Sequence, residues 1–166
     1  MSHRLFGILL ALTFFGWMSP NVFAINVSFF PQKGVMGKRA WDFTLPTVTD
    51  KTFTLSESIA GKKAIIFFGT TWCPYCRKQF MKINSVYKEI TKKEIVVVFV
   101  NVGESKASVK KYLSRNRYDF DVVMDYKESL GELYPFAGIP ALFFVDEKGV
   151  IKALLYDLPK DYHKFF

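Results

Sequence analysis

An apolar run at residues 64–68 leads within a few residues to Trp72-Cys73-Pro74-Tyr75-Cys76, and a pattern of helical period follows at once. A buried strand that delivers two thiols to the first turn of a helix leaves few folds open, and these are the only cysteines among 166 residues. At a helix mouth the unpaired N–H groups and the dipole favour negative charge, so Cys73 is the expected nucleophile. Pro74 falls at the first helical position, where its missing N–H costs nothing. Cys76, one turn further in, is expected to be shielded and to act second. Such a pair exchanges disulfides: Cys73 attacks a partner disulfide and Cys76 resolves the mixed disulfide, or the sequence runs in reverse. The intervening Pro74-Tyr75 dipeptide tunes the direction.

Blander uses of the pair fit poorly. A disulfide closing a two-residue loop barely constrains the unfolded chain, so a structural staple is not expected. A zinc site needs about four ligands, and the two histidines, His3 and His163, stand at the far ends of the chain. The sequence therefore predicts no metal site and no cofactor other than the Cys73–Cys76 disulfide itself.

The first residues read as an export signal: Arg4, an apolar stretch at 5–17, and Val22-Phe23-Ala24 as a cleavage site. The stretch is shorter than the roughly 20 residues that span a bilayer. The expected organisation is a signal peptide at 1–24, an N-terminal arm or linker at 25–40 and one domain at 41–166. That places the protein in the periplasm or another extracytoplasmic space, with an uncleaved N-terminal anchor facing the same space as the alternative. Membrane contact is expected only in that second case. The net charge is +8, but the lysines come in scattered pairs (Lys62-Lys63, Lys92-Lys93, Lys110-Lys111), which describes a solvated surface rather than a nucleic-acid patch.

Within the domain, residues 41–45 and 51–55 flank a turn-rich 46–50 and suggest a hairpin. Residues 64–68 are a buried strand. From 74 to 92 the apolar positions Phe80, Ile83, Tyr87 and Ile90 recur at helical spacing. Residues 95–100 read as a strand covered on both faces, 106–115 as a helix and 120–124 as a strand. Asp125 and Glu128 have capping-box spacing for a helix to about Tyr134. Residues 141–145 and 150–156 form a terminal hairpin about the turn 146–149. The fold class is α/β, with a central mixed β-sheet and helices on both faces. Little chain follows Tyr156, so a C-terminal helix should be short or missing, leaving Phe165-Phe166 to cover sheet or meet a partner.

The WCxxC behind a hydrophobic strand, together with Gly138-Ile139-Pro140 before the strand at 141–145, resembles the thioredoxin superfamily. The leader, the opening Trp41-Asp42-Phe43-Thr44-Leu45-Pro46 and the βα segment between Ile95 and Asp125 narrow the resemblance to the TlpA-like (ResA-like) exported thiol-disulfide oxidoreductases, over about residues 40–156. The resemblance implies a thioredoxin-like fold with an N-terminal β-hairpin and an inserted βα unit. It implies that Pro140 is cis and faces the cysteines, with Ile139 offering its backbone to a partner's extended chain. It gives Trp72 a place on the substrate-binding surface beside Ile139 and Pro140, and leaves Pro74 and Tyr75 as tuning residues. The implied partners are protein thiols and disulfides, including a membrane-bound electron donor, with cytochrome c maturation as a setting.

The chain also departs from that pattern. Thioredoxins carry a buried acid where this chain has Phe67, and the TlpA-like reductases often carry Glu where it has Gln79, so the usual proton acceptor for the resolving thiol is missing. Met81 replaces a helix-kinking proline. The leading expectation is a protein-disulfide reductase. The alternatives are a dithiol oxidase, a thiol peroxidase using Thr70 three residues before Cys73, or a redox-gated binding module or metal chaperone that would need a histidine such as His163.

Overall fold

The computed structural model describes residues 34–116, 118 and 120–166. The leader at 1–24 and the arm as far as residue 33 lie outside the described residues. A two-stranded antiparallel hairpin, β1 (Thr44–Pro46) and β2 (Thr52–Thr54), leads into a short helix α1 (Leu55–Ser58). There follow β3 (Lys63–Gly69), α2 (Pro74–Lys92), β4 (Ile95–Val102), α3 (Lys106–Arg115), β5 (Val122–Asp125), β6 (Ala141–Val145) and β7 (Ile151–Leu155). The main sheet has the order β5-β4-β3-β6-β7, with β3, β4 and β5 parallel, β6 antiparallel to β3 and β7 antiparallel to β6. This is the mixed sheet that the sequence predicts and the thioredoxin-like fold that the resemblance implies.

Strand periodicity explains the two cores. On β3, Ile65 and Phe67 face one side, where Phe80, Ile83 and Ile90 of α2 and Val109 of α3 pack. Ala64, Ile66 and Phe68 face the other, against Leu55, Ile59, Leu130 and Tyr134. Two successive right-handed crossovers in one direction along the sheet place α2 and α3 on the same face. The opposite face is covered by α1 and by a 3-10 turn, Ser129–Gly131.

Several boundaries differ from the sequence expectation. The helix expected from Asp125 to Tyr134 is only that 3-10 turn, because Glu128 takes a left-handed backbone (φ 55°) that no helix continues. Asp125 nevertheless caps the turn, accepting hydrogen bonds from the Ser129 N–H and hydroxyl and the Leu130 N–H, all at 2.9 Å. The hairpin is shorter than expected, since residues 55–58 turn into α1, which the sequence reading does not contain. Residues 34–40, expected to belong to a loose arm, lie along the β7 edge: Gly37 N–H donates to Ile151 O at 2.9 Å and Ile151 N–H to Lys38 O at 2.8 Å. At the opposite edge Val48 N–H donates to Val122 O at 2.7 Å, so both outer strands are shielded from pairing with another chain. The C-terminal helix is one 3-10 turn, Tyr162–Phe165, and Phe165 and Phe166 pack their rings on Phe144 at 5.6 and 5.4 Å.

Candidate active site

β3 ends at Gly69, where a Cβ would stand 3.0 Å from the buried Phe67 ring and 3.3 Å from Cys76 Cβ. The strand end can meet the redox helix that closely only because this residue has no side chain. Thr70, Thr71 and Trp72 turn the chain into α2. Cys73 is the N-cap residue with extended backbone, and its sulfur accepts the Cys76 N–H at 3.3 Å, the place a Ser or Asp oxygen takes at other helix starts. Pro74 occupies the first helical position, as the spacing predicts. Both cysteines are free thiols.

The two sulfurs differ in access. Cys73 is 5% exposed, at the surface end of the turn, while Cys76 is wholly buried. Burial, and then the hydrogen bond and charge of the neighbouring Cys73, push the Cys76 thiol from an ordinary 9 up to about 12.

The Ile139–Pro140 peptide bond is cis, and Ile139 O lies 4.0 Å from Cys73 Sγ. Chain topology brings them together: Pro140 directly precedes β6, which pairs with β3, and β3 leads into Cys73. Trp72 and Tyr75 are 66% and 74% exposed, so neither packs in the core. A groove of about 470 Å³ runs beside the pair, lined by Tyr75, Lys78, Gln79, Ile139, Pro140 and Tyr156 among others.

His163 does not join this group. Its neighbour Tyr162 donates to Glu89 at 3.0 Å near the far end of α2, about 24 Å along the helix from Cys73 at 1.5 Å per residue. The Thr70 hydroxyl is buried and bonded to no side chain, Cys73 included.

Three polar residues near the cysteines escape the sequence reading because no short motif carries them. Asp157, just past β7, accepts from the Gln79 side-chain amide and from Lys82 at 2.8 Å. Gln79 itself accepts the Leu158 N–H at 3.0 Å. Gln79 thus donates with one atom and accepts with the other, which a glutamate could not do, and this accounts physically for the amide at that position. Gln79→Glu is expected to set a buried carboxylate against Asp157 and cost roughly 1–3 kcal/mol, read as a lower urea midpoint. The remaining two are Asn101 and Glu104: the Glu104 carboxylate accepts from Thr71 N–H and Thr71 Oγ1, both at 2.6 Å, and from Asn101 Nδ2 at 2.5 Å.

Comparison with known proteins agrees with this geometry. The AhpC/TSA family profile matches residues 36–154. The thiol-disulfide oxidoreductase ResA of Geobacillus kaustophilus is 30% identical over 135 residues, 80% of this chain and 77% of that protein. StoA from Bacillus subtilis superposes with a TM-score of 0.61 at 27% identity, covering 70% of this chain and 88% of that one. A thiol:disulfide interchange protein of the thioredoxin family from Chlorobium tepidum gives 0.62 at 27% identity, over 73% and 86%. A hydrophobic strand ending at a buried thiol pair, a cis proline facing that pair and these likenesses agree: the chain belongs to the AhpC/TSA family, among the ResA-like thiol-disulfide oxidoreductases of the thioredoxin superfamily.

Proposed function

We propose that the protein acts outside the cytoplasm as a reductase of partner-protein disulfides, with Cys73 as attacking thiol and Cys76 as resolving thiol. The observation that carries this reading is the asymmetry of the pair: one sulfur at the helix mouth with a backbone N–H directed at it, the other sealed beneath. In the first step the Cys73 thiolate attacks a sulfur of the partner disulfide, the partner S–S bond breaks, and the departing thiolate takes a proton. In the second, Cys76 gives up its proton and attacks Cys73 Sγ. The mixed disulfide breaks, the partner leaves with two thiols, and two electrons and two protons have passed to it.

An extended partner segment fits along residues 138–140, where Ile139 presents its backbone beside the attacking sulfur. Trp72 and Tyr75 would flank it as exposed apolar contacts, and the adjoining groove would accept side chains next to the partner cysteine. Pro74 and Tyr75 tune the potential. The leader at 1–24 supports export, and disulfides of an apocytochrome awaiting haem are one substrate class. Reduction by a membrane-bound thiol donor would complete the cycle.

The test is covalent trapping. Cys76→Ser, lacking the resolving thiol, should hold partners as mixed disulfides that dithiothreitol releases, and Cys73→Ser should hold none. No cysteine-linked partner with Cys76→Ser would refute the assignment. A reduction potential near about −270 mV is expected for the reducing direction, and one near about −120 mV would reverse it.

A further inference from the structure

We infer that Glu104 is a positioning residue for the redox turn: its carboxylate, bonded to Thr71 and Asn101, fixes the segment that sets Cys73 against Cys76 and so determines how readily the disulfide closes. The inference rests on the exchange chemistry proposed above and adds a residue to it.

The segment linking β3 to α2 is only Thr70, Thr71 and Trp72, and Trp72 is largely exposed. It carries no regular ladder bonds, and buried polar atoms beside it go unpaired: Thr70 Oγ1 has no hydrogen-bond partner, nor has Oδ1 of Asn101, which stands opposite Gly69 on β4. Unpaired buried polar atoms cost free energy, so this arrangement is not one that local packing alone would select. Glu104 compensates. It sits two residues past β4, and folds back across the top of the sheet to take both the N–H and the hydroxyl of Thr71 and the side-chain amide of Asn101. Bonds to a charged acceptor are among the stronger ones, and three converge on one carboxylate. The segment two residues before the nucleophile is thereby tied to the neighbouring strand.

Closing the disulfide joins Cys73 Sγ to Cys76 Sγ, and its equilibrium depends on how often the two sulfurs stand in bonding position. Holding the turn raises that effective concentration without touching either sulfur. Releasing it lowers the tendency to form the disulfide, leaving a weaker reductant. Against glutathione the balance is explicit: protein dithiol plus one glutathione disulfide gives protein disulfide plus two glutathione thiols, two electrons and two protons moving together.

The experiment measures that equilibrium constant in glutathione buffers for wild type, Glu104→Gln and Asp42→Asn. Asp42 is a second multiply bonded carboxylate, accepting from Ser56 and Phe43 on the distant hairpin side, and serves as a control for general loosening. Glu104→Gln keeps size but replaces one acceptor oxygen with a donor. It should shift the equilibrium toward the dithiol about threefold or more, with Asp42→Asn staying within about 1.5-fold of wild type. An unchanged constant for Glu104→Gln overturns the inference, as does an equal shift in both variants. If Glu104→Gln does not fold, Thr71→Val removes one of the three bonds and should move the constant in the same direction by a smaller factor, and no movement there overturns it too. A wild-type protein that exchanges with glutathione not at all would instead remove the underlying reading.

Discussion

Iodoacetamide added to the reduced protein at pH 8 is expected to label Cys73 and leave Cys76 unmodified. Only the thiolate reacts. Cys76, raised from an ordinary 9 to about 12, is ionised at pH 8 to about one part in ten thousand, about a thousandfold less than a thiol that kept the ordinary value. The sign also fixes a pH profile. Because burial disfavours the charged form, the Cys76 thiolate grows about tenfold per pH unit until about pH 12, and any step that consumes it accelerates with it. Decay of a preformed mixed disulfide on Cys73 should therefore quicken across pH 7–10 with a slope near one on a logarithmic scale. The positions that carry proton acceptors in the resembling families are Phe67 and Gln79 here: Phe67 is fully buried among aromatic rings, and Gln79 is committed to Asp157 and Leu158. A rate flat with pH over that range would mean that a base reaches Cys76, and equal labelling of both cysteines would mean that the order of their action is wrong. Mass spectrometry of the alkylated peptides and stopped-flow decay of the mixed disulfide decide between these outcomes.

The redox pair was legible because its chemistry is local. Two thiols, a proline and a helix start follow one another in five residues, and the helix at 74–92 has the bounds that its apolar period predicts. The sheet was legible for a related reason, since runs such as residues 95–100 carry their own strand signal. What the sequence hid depends on distant pairing. Glu104 lies 33 residues from Thr71, and only the parallel register of β3 with β4 brings them together. Asp157 meets Gln79 only because β7 returns to the side of α2. The failed helix after Asp125 shows the opposite limit: the capping spacing is real and Asp125 does cap, but the left-handed backbone at Glu128 stops the helix before it can propagate. The proline before β6 stood out in sequence only through the resemblance, and its closeness to Cys73 follows from β6 lying antiparallel beside β3.

Phe80→Ala is expected to be the most damaging single change outside the cysteines, at about 3–5 kcal/mol of stability. The ring is fully buried one turn beyond Cys76 and contacts Phe67 at 5.2 Å, Phe99 at 4.0 Å, Tyr118 at 5.3 Å and Phe120 at 6.0 Å between centroids. It therefore joins the redox helix to β3, to β4 and to the segment after α3 at one point. Truncation removes the ring's burial and leaves a cavity among aromatic neighbours that cannot collapse without breaking their own contacts. Met81, the next residue, is 60% exposed on the other face of the helix, and Met81→Ala should stay within about 0.5 kcal/mol. The comparison isolates the buried face from helix propensity, because both variants introduce alanine into the same turn. A functional consequence follows from the same packing: with the ring gone, the seal over Cys76 loosens, its thiol moves back toward 9, and iodoacetamide should begin to label it at pH 8. Urea midpoints for the two variants and the Cys76 labelling rate test both halves, and a Phe80→Ala midpoint equal to that of Met81→Ala would show that the aromatic cluster does not hold the redox helix in place.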